Sequence, residues 1–220
     1  MWTYWLAWAA QATVPLPAYP ESLALRRWHE VNTQLENGCR FDAAQAGFVC
    51  AAGVTERARG RAQAFQDALF KDPGLEYLIG LTYRYDGEEI RAVDHYRAAI
   101  ALNPDYKAAW YDLGELYLSQ GHYARAAEAF DRVSQLIPSG PQSWLGPWRR
   151  AEVAALQQDP VVFETQIKIA LRRGFSFRQI AGLPNWRRFY ADPTMRDTLD
   201  KLLTVYSEPS VRLSLQPAPE

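Results

Sequence analysis

A pattern of residue types that recurs every 34 residues is the strongest constraint on how this chain folds. It places large apolar, small and proline residues at fixed distances along residues 107–140, and it recurs, shifted back, along residues 73–106. Only the leading tryptophan is missing from the earlier copy, where Glu76 stands. A period of this length indicates stacked pairs of helices. The later copy consists of Trp110, Leu113, Gly114, Tyr117, Ala126, Phe130 and Pro138, and the earlier copy of Ile79, Gly80, Tyr83, Ala92, Tyr96 and Pro104.

The small residues and the proline of each copy explain why the pattern predicts paired helices. A glycine on the first helix and an alanine on the second let two antiparallel helices approach closely. The proline stops the second helix, because it lacks the amide proton that a helix interior needs. Each pair leaves an apolar face bare until the next pair covers it. The sequence therefore predicts two neighbouring helix pairs, at residues 73–106 and 107–140.

The spacing W-x2-L-G-x2-Y, A-x3-F, P resembles the tetratricopeptide repeat, a family of helical repeat proteins. The resemblance is specific over residues 73–140 and continues in a divergent form to residue 174. In this third unit Trp144 takes the tryptophan's position, but Trp148 and Pro160 replace small residues. The resemblance implies an all-α fold, an α–α superhelix. This is a solenoid of antiparallel helix hairpins, with non-repeat helical caps at both ends.

Outside the repeats, the sequence divides into segments of different character. We expect a signal-like apolar segment with a proline-rich linker, then N-terminal helices that form a degenerate hairpin. The repeats, a divergent third repeat, a C-terminal helical cap and a loose proline-bearing tail follow. In that order the ranges are 1–20, 21–72, 73–106 with 107–140, 141–174, 175–207 and 208–220.

The family resemblance also implies a binding surface. Members of this family are typically scaffolds in which the first helices of successive repeats line a concave groove that accepts a peptide or a partner protein. One variety of the family recognises a free C-terminal carboxylate through a lysine and asparagines, and the tyrosine and leucine at the first two groove positions disfavour that ligand here. Carried over by repeat position, the groove residues are Tyr77, Leu81, Arg84, Tyr85, Tyr111, Glu115, Leu118 and Arg149.

Two functions are compatible with these features. The first is a non-catalytic scaffold for protein–protein interaction that binds a peptide or partner protein in the groove, in the assembly of an envelope or secreted complex. The second is a structural or self-associating protein that uses its aromatic N-terminal or C-terminal surface at a membrane or an oligomer interface. The sequence leaves the partner and the oligomeric state open.

Composition and motifs argue against other classes of protein. Lysine and arginine number 24 against 25 acidic residues, so the net charge of -1 creates no field that attracts nucleic acid. The sequence contains no nucleophile elbow, H-E-x-x-H motif or phosphate-binding loop. The three histidines, His29, His95 and His122, belong to different helical units. We therefore expect no catalytic residues, no cofactor and no metal site.

The N-terminal dozen residues bear on localisation. Residues 1–12 are uncharged, rich in tryptophan and end in Ala10-Gln11-Ala12, as at the end of a secretory signal, but no basic residue precedes the apolar run. Export predicts a periplasmic or secreted protein, and the alternative is a cytoplasmic one in which Trp2, Trp5 and Trp8 pack on the first hairpin. Membrane contact is expected only through this segment, which is too short to span a bilayer.

The two cysteines, Cys39 and Cys50, bear on the same question. They stand eleven residues apart, so one continuous helix would separate them by roughly 16 Å. A disulfide requires Cα atoms within about 7 Å, so a bridge and an unbroken helix exclude each other. Export favours a Cys39–Cys50 disulfide, whereas a cytoplasmic location favours two small buried thiols.

Overall fold

The computed structural model describes residues 19–42, 47–181 and 183–215, which form eleven α-helices, one 3-10 helix and one two-stranded sheet. The chain divides into two compact units, residues 1–113 and 114–220, and the boundary falls inside helix α5. The elements are α1 Tyr19–Gly38, β1 Cys39–Asp42, β2 Gly47–Cys50, α2 Val54–Ala68, α3 Pro73–Tyr85, α4 Glu89–Leu102, α5 Lys107–Ser119, α6 Tyr123–Leu136, α7 Leu145–Leu156, α8 Pro160–Arg172, the 3-10 helix Phe177–Ile180, α9 Pro184–Ala191, α10 Pro193–Tyr206 and α11 Pro209–Leu215.

The all-α fold predicted from the repeat pattern is confirmed. Helices α3 and α4 form the first repeat pair, which lies in unit 1. The Asp72 side chain caps α3 by accepting a hydrogen bond from the amide of Leu75 at 2.9 Å. Gly80 permits a close approach of the two helices, since a Cβ placed on it would lie 2.7 Å from the Tyr96 ring. Gly87, with a φ of 77°, makes the turn between them.

Unit 2 repeats this design at the same positions of the pattern. A Cβ placed on Gly114 would lie 2.7 Å from the Phe130 ring, so α5 and α6 also depend on a glycine for their approach. The divergent third repeat supplies α7 and α8. Helix α7 begins only at Leu145, which leaves Pro147 in its first turn, where the amide needs no partner. Asp159 caps α8 by accepting hydrogen bonds from two backbone amides.

The C-terminal part of unit 2 builds its core around an indole ring. Trp186 on α9 is fully buried, and its ring lies 5.9 Å from the ring of Phe163, 6.5 Å from Phe177 and 5.8 Å from Phe189. These three phenylalanines come from α8, the 3-10 helix and α9 itself. One buried side chain therefore ties the third helix pair to the terminal helices.

The segment after α1 corrects the prediction that residues 21–72 contain only helices. Strands β1 and β2 form an antiparallel hairpin in which Cys39 pairs with Cys50. The structure joins these two cysteines by a disulfide, with their Cα atoms 4.0 Å apart. Alanine-rich sequence favours a helix, but a bridge across eleven residues requires the chain to double back. The tertiary constraint overrides the local propensity.

Both ends of the described chain also differ from prediction. Helix α1 begins at Tyr19, so Pro20 lies in its first turn rather than in the linker predicted for residues 1–20. The predicted signal-like segment lies outside the described residues. The tail predicted to be loose contains helix α11, because Pro209 can start a helix and Val211 and Leu215, four residues apart, are both buried. Among the helices described, none is long and apolar enough to cross a membrane.

Candidate functional site

In unit 1, two predicted groove residues on α3 converge on one carboxylate of α5. The Tyr77 hydroxyl donates a hydrogen bond to Asp112 Oδ2 at 2.8 Å, and Arg84 Nη1 lies 2.6 Å from Asp112 Oδ1. Asp112 is buried, so its charge is stabilised by these partners rather than by water alone. The first helices of the two repeats are thereby joined by charge-assisted hydrogen bonds.

Aromatic rings surround this carboxylate. The ring of Tyr77 stacks on Tyr96, with centroids 5.6 Å apart, and lies 5.4 Å from the ring of Tyr106. Burial, followed by the negative charge of Asp112, raises the pKa of Tyr77 well above its usual value of 10.0. The hydroxyl therefore keeps its proton and acts as the donor to Asp112 across the physiological pH range.

The end of α3 carries a second aromatic contact. Tyr85, half-buried, stacks on Phe48 of strand β2 with ring centroids 4.0 Å apart. Burial is also the main reason why the pKa of Tyr85 is raised. The remaining groove residue of this helix, Leu81, is buried. The β1–β2 hairpin thus covers part of the surface that the repeat pattern assigns to binding.

In unit 2, predicted groove residues of α5 and α7 form an ion pair. Arg149 Nε donates to Glu115 Oε1 at 2.5 Å, and a second guanidinium nitrogen contacts the other oxygen of the same carboxylate. Arg149 also pairs with Glu152, one turn along α7. Two parallel hydrogen bonds fix both the distance and the orientation of the side chains. Unit 2 therefore has its own polar cluster on first helices, made of one arginine and two glutamates.

Glu152 connects this cluster to the core of unit 2. Its Oε1 accepts hydrogen bonds from Trp186 Nε1 at 2.6 Å and from Asn185 Nδ2 at 2.9 Å. The residue is almost fully buried. Burial raises its pKa, although the charge of Arg149 and the hydrogen bond from Trp186 act in the opposite direction. Glu152, whose pKa is raised by burial, thus contacts Arg149 and links it to the core of unit 2.

A second buried carboxylate, Glu76 of α3, has a pKa shifted in the opposite direction to that of Glu152. His95 Nδ1 lies 2.7 Å from Glu76 Oε2, and Gln66 donates to Oε1 at 3.1 Å. Lys71 is 3.7 Å away. Burial alone would raise the pKa of this carboxyl group, but the hydrogen bond and charge of His95 and the other partners outweigh burial and lower it.

These two glutamates predict pH dependences of opposite sign for the free energy of unfolding. The pKa of Glu152 is raised above its usual value of 4.5, so the folded state holds this proton more tightly than the unfolded chain does. The contribution of Glu152 to the free energy of unfolding therefore falls as the pH rises above 4.5. The pKa of Glu76 is lowered below its usual value of 4.5, so the folded state holds this proton less tightly. The contribution of Glu76 to the free energy of unfolding is complete above pH 4.5 and is lost as the pH falls through the lowered pKa.

Urea denaturation across pH, comparing the chain with Glu152→Gln and with Glu76→Gln, measures both effects. The stability of the unaltered chain relative to Glu152→Gln should fall with rising pH, and relative to Glu76→Gln it should rise, each by at most about 1.4 kcal/mol per pH unit. The same sign for both variants would show that burial and hydrogen bonding have been assigned to the wrong carboxylates.

The structure brings together only some of the predicted groove residues. Tyr77 and Arg84 meet through Asp112 in unit 1, and Glu115 and Arg149 meet directly in unit 2. Tyr111 is buried and Leu118 is half-buried on α5. Sequence reasoning missed Asp112 and Trp186. A signal for the ion pair was present, because Glu115 and Arg149 carry opposite charges and stand one repeat of 34 residues apart.

The chemistry of both clusters is that of hydrogen bonding and ion pairing. Their donors and acceptors join neighbouring first helices within each unit. Among the side chains that the structure describes, no three of histidine, cysteine, aspartate and glutamate are placed to hold a metal ion.

Comparisons with known proteins identify the repeats. Residues 77–141 match the family model for the tetratricopeptide repeat. Human superkiller complex protein 3 is 37% identical over 79 residues, which cover 36% of this chain and 5% of that protein. A probable biofilm formation methyltransferase, WspC of Pseudomonas putida, is 27% identical over 137 residues, covering 57% of this chain and 32% of WspC. The chain thus spans a minor part of these relatives.

A solved structure extends the likeness to most of the fold. The structure of Pseudomonas aeruginosa pilF has a TM-score of 0.62, with 14% identity, and the match covers 90% of this chain and 83% of that one. At this level of identity the likeness concerns the fold alone. Together with the paired helices of residues 73–136, the family match identifies residues 77–141 as tetratricopeptide repeats.

Proposed function

We propose that this protein is a non-catalytic scaffold that binds a peptide or partner protein through the first helices of its repeats. Tetratricopeptide folds are typically protein-interaction scaffolds, and the chain's repeats are of that kind. The observation that supports the proposal most is that groove residues contact the neighbouring first helix, as Tyr77 does through Asp112 and Arg149 does through Glu115. Residues separated by a whole repeat therefore share a surface within each unit.

The chemistry of the two clusters favours a partner segment that is partly apolar and not strongly acidic. Each groove arginine already pairs with a carboxylate, so an acidic ligand would have to displace Asp112 from Arg84 or Glu115 from Arg149. Tyrosine rings supply flat apolar faces with a polar end, which suits extended segments held by stacking and hydrogen bonds. A free carboxylate terminus is a poor ligand for either cluster.

The proposal includes assembly of an envelope or secreted complex. The support is the Cys39–Cys50 disulfide, since disulfides persist mainly in the oxidising environments outside the cytoplasm. The name of superkiller complex protein 3 describes a component of a complex, and its likeness to this chain is confined to about a third of the chain.

Site-specific photo-crosslinking tests the proposal without disturbing the core. A photoreactive amino acid is placed at Ser119, an exposed residue that follows the groove residue Leu118 at the end of α5, and in a separate variant at Glu128, an exposed residue of the second helix α6. After exposure to extract from the protein's native source, Ser119 should yield a defined cross-linked partner. The Glu128 position should not.

The two positions lie in the same unit, so misfolding would affect both and is detected by circular dichroism. Cross-links of equal yield from both positions, or from Glu128 alone, would move binding away from the first helices.

Self-association through the C-terminal helices is a second candidate, and one observation favours it. Val205 and Tyr206 at the end of α10 and Leu213 on α11 are 69%, 50% and 66% exposed. Val205 and Tyr206 also line a pocket of about 390 Å³, together with Phe177. Exposed apolar side chains that border a pocket suit contact with another protein surface.

Light scattering separates this second candidate from the first. If the surface mediates self-association, the unaltered chain should have a mass above that of a monomer. The mass should be lower in a double variant with Val205→Asp and Leu213→Asp. A monomer mass for both proteins over a wide concentration range would remove self-association and leave the first-helix proposal untouched.

A further inference from the structure

The β1–β2 hairpin is closed at its base by the Cys39–Cys50 disulfide. The two cysteines face each other in the antiparallel register, and the strands of four residues each run outward from them. Two-stranded hairpins of this length are marginally stable on their own in water. The covalent bond at the base is therefore a large part of what keeps the two strands in register.

The hairpin covers one side of a predicted groove residue. Phe48 of β2 stacks on Tyr85 with an angle of 27° between the rings, and Phe41 of β1 packs edge-on against Phe48 with centroids 5.5 Å apart. The raised pKa of Tyr85 reflects the burial that this cover contributes to. Phe48 thus covers one face of the Tyr85 ring.

The hairpin lies outside the core of unit 1. No residue of the described strands, 39–42 and 47–50, is buried, and both cysteines are half-buried, which leaves the bridge within reach of a reductant. Contacts that do not involve the disulfide also join the end of α1 to the start of α2. The amide of Ala51 donates to the carbonyl of Gly38 at 2.8 Å, and the Val54 side chain packs against Gly38.

We propose that the Cys39–Cys50 disulfide is a reducible latch that holds Phe48 over Tyr85, so that its reduction by a dithiol uncovers this end of the first-helix surface. The regulatory meaning of the latch rests on the proposed function, whereas its opening does not. The occupants of the surface are the same peptide or protein segments proposed above.

The chemistry is a two-electron thiol–disulfide exchange. A thiolate of the reductant attacks one cysteine sulfur and releases the other cysteine as a thiolate, which takes up a proton. The second thiol of the reductant then attacks the mixed disulfide and releases the first cysteine. The protein gains two electrons and two protons, the S–S bond between Cys39 and Cys50 breaks, and the reductant leaves as its own disulfide.

Hydrogen–deuterium exchange of the full chain, with and without dithiothreitol, tests the opening directly and needs no partner. Amides of the strand residues 39–42 and 47–50 should exchange faster on reduction by on the order of tenfold or more, because closing a loop of this size restricts the open chain strongly. Amides of α1, α2 and α4 should change by less than about twofold. Unchanged strand amides would overturn the latch. So would faster exchange throughout unit 1, which would make the bridge a structural staple.

Nitration of Tyr85, read by mass spectrometry, tests the link between the bridge and the ring. Cys39→Ser/Cys50→Ser should raise Tyr85 nitration several-fold over the oxidised chain. Phe48→Ala should do so with the disulfide intact. If the double serine variant leaves nitration unchanged while Phe48→Ala raises it, the bridge does not control the cover, and the proposal fails.

The binding consequence has its own readout. Cross-linking from a photoreactive amino acid at Asp86, an exposed residue next to Tyr85, should increase on reduction in wild type and be insensitive to reductant in the double serine variant. Opening without any change in this yield would refute regulation by the latch. Absence of cross-links at both Asp86 and Ser119 would instead count against the proposed function, since the exchange experiment does not depend on a partner.

Discussion

Replacing Trp186 by alanine is expected to lower the free energy of unfolding of unit 2 by about 3–5 kcal/mol. The indole is fully buried against Phe163, Phe177 and Phe189, so its removal leaves a large cavity between α8 and α9. It also takes away the hydrogen bond that the indole donates to the buried Glu152 carboxylate. Urea denaturation followed by circular dichroism measures the loss.

Two other variants separate the causes. Trp186→Phe keeps an aromatic ring but removes the donor, and should cost about 1–3 kcal/mol, since Asn185 and Arg149 still contact Glu152. Trp110→Ala removes an indole that is only half-buried and donates to the carbonyl of Pro104, so its cost should be smaller than that of Trp186→Ala. Equal costs for the two alanine variants would show that the core of unit 2 is not centred on Trp186.

Replacing Gly146 by valine is expected to destabilise unit 2 by about 3 kcal/mol, the upper end of the usual cost of overpacking. A Cβ placed on Gly146 would lie 2.6 Å from the backbone nitrogen of Ser134 and 2.9 Å from the carbonyl oxygen of Phe130. Both are backbone atoms of helix α6, which cannot rotate away as a side chain can. Helices α6 and α7 would have to separate.

Gly60 supplies a matched control for this effect, because it is also a glycine inside a helix. A Cβ placed on it would meet nothing within 4 Å, so Gly60→Ala should stabilise α2 by about 0.5–1 kcal/mol. Thermal and urea unfolding of both variants give the comparison. A Gly146→Val protein as stable as the unaltered chain would mean that α6 and α7 do not pack as closely as described.

The repeat helices were predictable because their signals are local and periodic. The glycine and alanine of each copy mark where two helices approach, and the proline marks where the second helix ends. The bounds of α3 to α6 follow from these residues with little help from the rest of the chain. The repeat pattern does not fix burial: Trp110, its leading residue, is half-exposed, and its indole donates to a nearby carbonyl.

The hairpin and helix α11 were not predictable from local signals. Residues 41–52 are rich in alanine, which favours a helix, and only the pairing of Cys39 with Cys50 reveals that the chain turns back. The C-terminal residues contain proline, which suggested a loose tail. The burial of Val211 and Leu215 depends on neighbouring helices that are remote in sequence.

The candidate site was predicted by position but not by partner. Repeat numbering identified Tyr77, Arg84, Glu115 and Arg149 as residues of first helices, and the structure pairs each of them with a residue of a neighbouring first helix. Asp112 was missed because it follows the predicted groove residue Tyr111 and is not itself at a groove position. Hydrogen-bond partners depend on the exact distance between helices, which a repeat pattern does not specify.

Hydrogen–deuterium exchange of the chain alone and with the partner captured from Ser119 tests the central claim most directly. If the first helices bind the partner, amides of α3, α5 or α7 should gain protection while those of the second helices α4, α6 and α8 stay unchanged. Protection confined to the second helices, or to α9–α11, would contradict the claim that these repeats hold a partner on their first helices.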